Sequence, residues 1–399
     1  MKKPDDWEKR FHRWIEPFVN ELGDKRRRKW APLYLLGLLL PGERKSIQPI
    51  SARTAPSDGE QVHHFVATSS WDTAPVEAVL CEKADALIGG ERAHLIVDDT
   101  ALPKKGTHSV GVAHQYCGAL GKQANCQSLV SLTLSRDEIP IPIALRLYLP
   151  KAWADDRDRC DSAKVPSDVG YRPKWQIALD EIARVQELGV RFEDVLADAG
   201  YGMCAEFRHG LTALGLSWTV GIVSTQNVYA ADTIVLPVPS KVSVGRKRIN
   251  PTTSSKPSSA AEFVTANSTF RKVTWRTGTK GKLTCRFAFA RIRPADGKKV
   301  RDGVHLPTEP CWLVCEWREN GERKYYLSNL PESSSEVAIV RAIKARWACE
   351  QGHQQMKEEL GLDHFEGRSW FGLHHHAVLT MIAFAFLQTE RLSENKNSA

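Results

Sequence analysis

The chain has 399 residues, 42% hydrophobic and 26% charged, the balance of a folded globular protein with room for more than one domain. Nine cysteines, odd in number and irregular in spacing, exclude a secreted disulfide framework, and Cys311-x3-Cys315 has no second ligand pair that would make it a zinc site. The net charge of +8 favours a polyanionic partner, and the charge is uneven: residues 241–300 hold 15 Lys/Arg against 2 acids, a local +13 that leaves about −5 elsewhere.

The Met-Lys-Lys-Pro start lacks the apolar core of a signal peptide, and the run Leu35–Leu40 is too short to span a bilayer. A cytoplasmic protein with reduced thiols and no membrane partner is expected. Trp7, Phe11, Trp14, Ile15 and Phe18 recur at helical spacing, and Trp30, Leu33, Leu35, Leu36 and Leu39 do so again, predicting two helices over 7–40. Between them lie five consecutive cations, Lys25–Lys29. This run is open equally to a solvated turn and, through Arg26, Arg27 and Arg28, to phosphate contact. Residues 41–75 read as loop, and a third helix is expected from about Pro75 to Leu87, closed by Gly89-Gly90.

Leu95–Asp98 reads as a short buried strand ending at the acidic pair Asp98-Asp99. Thr100, the cations Lys104-Lys105 and the Gly-spaced Val110–Ala113 follow. The β runs Gln127–Ser135 and Ile141–Leu149 flank the turn Arg136-Asp137-Glu138, giving three antiparallel strands with the first. A polar loop at 150–170, with Asp155, Asp156 and Asp158, precedes a helix at Lys174–Leu188. Next come a strand Asp194–Ala197 that ends in Asp198-Ala199-Gly200-Tyr201-Gly202, a helix near Ala205–Leu214 and a strand Ser217–Val223. This order is mixed α/β, and in such sheets ligands collect at strand ends, where Asp99 and Asp198 both stand.

From about Gln226 to Glu322 the composition turns Pro-, Ser/Thr- and Lys-rich, with short β runs at Arg271–Thr277, Leu283–Ile292 and Cys311–Trp317 and disorder expected near Pro251–Ala261. Most of the positive charge falls in this strand-rich insertion. Tyr325–Leu330 returns as a strand, a long helix is expected from about Ser334 to Leu360, and a last one from Leu373 to Arg391. His374-His375-His376 reads as the polar start of that last helix rather than a metal site. Trp275, Trp312 and Trp317 in the insertion read first as core.

Carboxylates on three separate elements, one of the pair Asp98-Asp99, then Asp198 and Glu350, are the candidate site. Hard divalent cations choose oxygen ligands, and two such ions can activate a water or a 3′-hydroxyl while stabilising the leaving oxygen. Ile343, Arg346, Glu350 and Lys357 are spaced by 3, 4 and 7 residues and share one helix face, which sets a carboxylate between cations suited to phosphates. Asp98 and Asp99 point to opposite faces of a strand, so one of them is the ligand.

These motifs resemble the DDE transposases of bacterial insertion sequences. The resemblance runs from about Trp30 to Leu387 and includes Asp-Asp-Thr followed by Pro-Lys-Lys-Gly, Ala-Asp-Ala-Gly-Tyr-Gly, and Arg346-x3-Glu350-x6-Lys357. The branch it resembles carries a Tyr-x2-Arg-x3-Glu-x6-Lys signature, where this chain has Ile343 at the tyrosine position.

The resemblance implies an α/β, ribonuclease H-like mixed sheet with flanking helices, split over 90–225 and 323–391. It adds an N-terminal helical DNA-binding region (1–85) and a basic β-rich insertion (226–322). It implies Asp99, Asp198 and Glu350 as catalytic metal ligands for two Mg2+ ions, with Mn2+ able to substitute. Arg346, Lys357, Lys104, Lys105, Arg26, Arg27 and Arg28 would meet DNA. The implied partners are transposon ends, target DNA and a second copy of the chain, in the cytoplasm at the nucleoid. A domesticated, catalytically silent DNA-binding protein and a stand-alone nuclease of the same fold are the alternatives.

Overall fold

The computed structural model describes residues 4–238, 249–278, 281–300 and 304–398. Lys241, Arg246, Lys247, Arg248 and Lys280 of the basic segment lie outside the described residues. Contacts divide the chain into two compact units, residues 1–193 with 347–399, and residues 194–346.

In the first unit, the stripe of Phe11, Trp14, Ile15 and Phe18 is the buried face of α1 (Pro4–Asn20). The cation run is not a turn. It forms the start of α2 (Lys25–Leu39), capped by Asp24, whose side chain accepts from the Arg26 N–H at 2.7 Å. Arg28 donates to the carbonyl of Asn20, an oxygen that the end of α1 leaves without an intrahelical partner, and Arg27 to that of Leu22 in the turn that follows. The expected loop at 41–75 contains α3 (Ile47–Thr54), α4 (Gly59–His63) and a π-turn at His64–Thr68, and α5 (Ala74–Ile88) follows as expected. Pro49 sits in the first turn of α3, where its missing N–H has no intrahelical partner to lose.

Strand β1 (His94–Pro103) continues through the acidic pair instead of ending there. The two acids break the apolar run that marks a strand in sequence, yet the backbone ladder carries on: β1 pairs antiparallel with β3 from His94↔Ser135 to Pro103↔Cys126. Strand β2 (Ala113–Cys117) pairs with the start of β3 (Lys122–Arg136), and β4 (Ile139–Leu147) pairs with its end. The β3–β4 turn places Asp137 at φ 50° and Glu138 at φ 65°, the mirror-image turn whose twist suits a tight hairpin. The polar loop holds two short helices, α6 (Lys151–Ala154) and α7 (Arg157–Ser162), before α8 (Lys174–Glu187).

In the second unit, β5 (Asp194–Ala197) leads through α9 (Ala199–Gly202) and α10 (Ala205–Ala213) to β6 (Trp218–Ile222), which lies parallel to it. Strand β7 (Asn227–Ala230), the small pair β8 (Val235–Leu236) and β9 (Thr252–Thr253), β10 (Ser258–Ser259) and α11 (Ala260–Asn267) come next. The expected disorder near 251–261 is instead this capped segment, with Ser259 and Glu262 forming a reciprocal capping box. Strands β11 (Arg271–Gly278), β12 (Gly281–Pro294), β13 (Cys311–Trp317) and β14 (Arg323–Ser328) complete it. Their order is β10-β7-β12-β13-β14-β6-β5, with β11 beside β12. The insertion is therefore an extension of the sheet. Helix α12 (Glu336–Ala345) covers it, burying Ile339, Val340 and Ile343 against Phe287 and Val314.

The chain then re-enters the first unit with α13 (Trp347–Glu358) and α14 (Trp370–Ser398). The single helix expected over 334–360 is thus two, interrupted at Arg346, and no Gly or Pro marks the break. Helix α14 is long and apolar enough to cross a membrane, but 83% of its most apolar window is buried inside the protein, the pattern of a core helix. The N-terminal helices pack on it: Trp14 donates to the Ile382 carbonyl at 3.4 Å and Arg10 pairs with Glu390 at 2.5 Å. The N-terminal region therefore shares one core with the strands that follow it. The architecture is mixed α/β with a mixed sheet and flanking helices, the ribonuclease H-like class.

Candidate active site

The β1–β3 register decides where the acidic pair looks. Asp98 is opposite Ser131 and Asp99 opposite Val130, so the two side chains leave opposite faces of the sheet. Cys349 of α13 contacts Thr133 Oγ1 at 3.3 Å and Ser131 Oγ at 3.9 Å, which puts α13 over the face of Asp98. Asp99 faces α8 instead. There the Lys174 ammonium donates to Asp99 Oδ2 at 2.5 Å and to Ser128 Oγ at 2.8 Å, and lies 5.3 Å from the centre of the Tyr148 ring. Neither Lys174 nor Ser128 stood out in the sequence. One signal was present: a lysine in the first turn of a helix opposes the helix dipole and calls for a carboxylate partner.

Glu350 is exposed in the first turn of α13, where the dipole favours a carboxylate. Lys357, two turns on, is pushed down by burial and pulled back up by Asp363 and Asp98. Ile343 lies in the apolar core of the second unit, so the position where the resembled signature has a tyrosine is here a packing position. Arg346 is half-buried at the helix junction, and its charge is felt by Tyr326.

Asp198 caps α9 at the end of β5, accepting from the Tyr201 N–H at 3.2 Å. The glycine that closes the motif has a steric cause: a Cβ on Gly202 would lie 1.9 Å from the Gly221 carbonyl oxygen of β6. A buried ion pair pins the same turn from the insertion. Arg208 meets Asp296 Oδ2 at 2.5 Å and donates to the Gly202 carbonyl, while Gln226 donates to Asp296 Oδ1 at 3.1 Å.

The remaining expectations divide. Lys104 is half-buried and donates to the Phe365 carbonyl at 2.7 Å, so it ties loops together, whereas Lys105 is exposed. Arg26 is exposed beside its own cap, Asp24. The three histidines are core bolts rather than the polar start of a helix. The Tyr34 hydroxyl donates to His376 Nδ1 at 2.8 Å, and His375 stacks on Trp71 with ring centres 3.9 Å apart. Burial pushes all three to about 4. Trp275 packs edge-on to Phe287, as expected of core, and Trp317 lies under Arg286 and Arg323. Among the described residues no three His, Cys, Asp or Glu side chains are gathered as a ready metal cluster.

Residues 17–282 match the DDE superfamily endonucleases, and the chain belongs to that superfamily. Its enzymes act through divalent metal ions. The matched span carries Asp99 and Asp198 and ends before Glu350. A curated relative, a probable transposase for insertion sequence element IS701 from Microchaete diplosiphon, is 29% identical over 194 residues, 48% of each chain. The chain thus spans about half the length of the curated relative it matches.

Proposed function

We propose that this protein is a transposase of an insertion sequence. It binds the terminal inverted repeats of its element, cleaves DNA at those ends and joins them to a target, with at least two copies in the active complex. Asp99, Asp198 and Glu350, with Asp98 on the α13 face as the other candidate for the first ligand, would hold two Mg2+ ions, which supply Lewis acidity at the phosphate and an activated water or 3′-hydroxyl. The oxygen donor set suits a hard divalent cation, and at Asp99 a cation already sits: the Lys174 ammonium at 2.5 Å. Arg346, Lys357 and Lys105 would meet phosphates, and the basic insertion would add to the sequence-independent attraction for DNA. The protein would work in the cytoplasm, at the nucleoid.

The observation that carries this reading is the superfamily match spanning both Asp99 and Asp198, together with the transposase relative. The test is cleavage of duplex DNA carrying paired element ends in Mg2+. Asp99→Asn, Asp198→Asn and Glu350→Gln should each abolish cutting while end binding persists. Cutting by all three variants would refute the assignment. Cleavage by the wild type without joining to a target would make it a nuclease of the same fold.

A further inference from the structure

Two loops of the first unit leave the elements that carry candidate carboxylates. Residues 104–109 follow β1, which holds Asp98 and Asp99, and residues 362–368 follow α13, which holds Glu350. They are fastened to each other. Lys104 donates to the carbonyls of Phe365 at 2.7 Å and Asp363 at 3.4 Å, and the Val110 N–H donates to the Arg368 carbonyl at 3.1 Å. The first loop is also held from β3, where Asn125 donates to the carbonyls of Lys104 and Gly106, both at 2.8 Å. The second is held from its other side by the Lys45 N–H, which donates to His364 Nδ1 at 3.0 Å. Burial draws Lys104 down to about 8, with Asp363 and Glu366 pulling the other way, so it is a charged internal tie at neutral pH.

Between the fastened loops lies a cleft of about 440 Å3. Lys105 and His108 of the first loop and Arg368 of the second line it, together with Arg44. Arg44 is paired with Glu366. Lys105 and Arg368 are exposed and have no ion pair among the described residues. Two cations lining one cleft suit the two free oxygens of a phosphodiester, and the guanidinium fork of Arg368 suits them in particular.

We propose that this cleft seats a backbone phosphate of the bound DNA, with Lys105 and Arg368 as its two ligands. The inference rests on the reading of the protein as a DNA transposase and adds a place on the substrate. Lys105 is six residues beyond Asp99, at most about 20 Å along an extended strand, or some six base steps. The phosphate seated here therefore flanks the position of the first carboxylate on the same DNA.

The test is binding of the full-length protein to a fluorescent 30-base-pair duplex of arbitrary sequence, followed by anisotropy across a salt series. Each phosphate neutralised adds about 0.9 to the slope of log K against log salt, so Lys105→Ala with Arg368→Ala, which empties one phosphate seat, should lower it by about 0.9. The charge-keeping pair Lys105→Arg with Arg368→Lys should restore it. Both side chains are exposed, and an unchanged melting temperature will show that the alanine variant is folded. An unchanged slope in the folded alanine variant overturns the cleft, as does a slope restored by neither charge. Binding of millimolar inorganic phosphate that depends on Lys105 and Arg368, while the DNA affinity and its salt slope are unchanged by phosphate and by the alanine substitutions, overturns it in favour of a small phosphorylated ligand. Cleavage by the wild type in Mg2+ is scored separately. A wild type that binds through the cleft but does not cut refutes the transposase reading and leaves the phosphate seat standing.

Discussion

Lys174 Nζ stands 2.5 Å from Asp99 Oδ2, across 75 residues of chain, with Ser128 Oγ as its second acceptor at 2.8 Å. An ammonium in that position competes with any divalent ion for the same carboxylate oxygen. Both side chains are about one-third exposed, so solvent screens the pair to roughly 0.5–1 kcal/mol. Replacing Lys174 with Met should therefore tighten Mn2+ binding about two- to fivefold in the DNA-free protein, read by electron paramagnetic resonance of the free ion. Weaker binding in the variant would show that Lys174 positions Asp99 rather than competing for it.

The strand alternation makes Asp98 and Asp99 separable by experiment. Asp99 meets Lys174, whereas Asp98 shares its face with α13 and acts on Lys357. With Asp99 as the ligand, Asp99→Asn should drop cleavage below detection. Asp98→Asn should slow it by roughly 10- to 100-fold, the usual effect of losing a residue that supports a ligand from behind. Cleavage rates of the two variants in Mg2+ measure this directly, and the reverse ranking would move the ligand to Asp98.

What the sequence disclosed and what it hid follow physical lines. The β3–β4 hairpin was legible because two apolar runs flank a three-residue polar turn, and α8 because its apolar spacing is regular. The continuation of β1 through Asp98-Asp99 was hidden, since ladder hydrogen bonds are made by the backbone and leave no trace in side-chain polarity. The break at Arg346 was hidden for a related reason: Lys344, Ala345 and Ala348 all favour helix, and the division between two cores lies in contacts made far away in the chain. At the candidate site, the three carboxylates are proposed from residue type and position. Lys174 and the Arg208–Asp296 pair could not, because their partners lie 75 and 88 residues away.

The Arg208–Asp296 pair binds the Asp198 turn to the insertion, and both side chains are at most 5% exposed. Removing one charge leaves the other buried without its counter-ion, a loss of about 3–5 kcal/mol. Arg208→Met and Asp296→Asn should each lower the urea midpoint accordingly. The double variant should lose clearly less than the sum of the two, because it strands no charge. Additive losses would show that the pair contributes no coupling.

Protons should destabilise the first unit through its buried histidines. His376 is satisfied as a neutral ring: Nδ1 accepts from the Tyr34 hydroxyl, and Nε2–H donates to the Gly361 carbonyl at 3.0 Å. His374 is likewise neutral, donating from Nδ1 to the Trp370 carbonyl at 2.9 Å. Burial holds both at about 4, below the 6.5 of an unfolded histidine. The unfolded chain therefore takes up protons first as pH falls, and stability is lost between about 6.5 and 4. Each ring contributes a slope of up to about 1.4 kcal/mol per pH unit in the middle of that window. The paired carboxylate Glu77 is held below its ordinary 4.5, where Arg146 and Arg184 outweigh the burial that pushes it up, so its loss falls at lower pH and leaves pH 5–6.5 to the histidines. Urea unfolding at half-unit intervals from pH 7 to 5 should show the midpoint falling as pH drops. In His376→Gln the fall should be shallower, whatever its stability at pH 7. A midpoint flat from pH 7 to 5 would mean that these rings are already protonated in the folded protein or do not govern its stability.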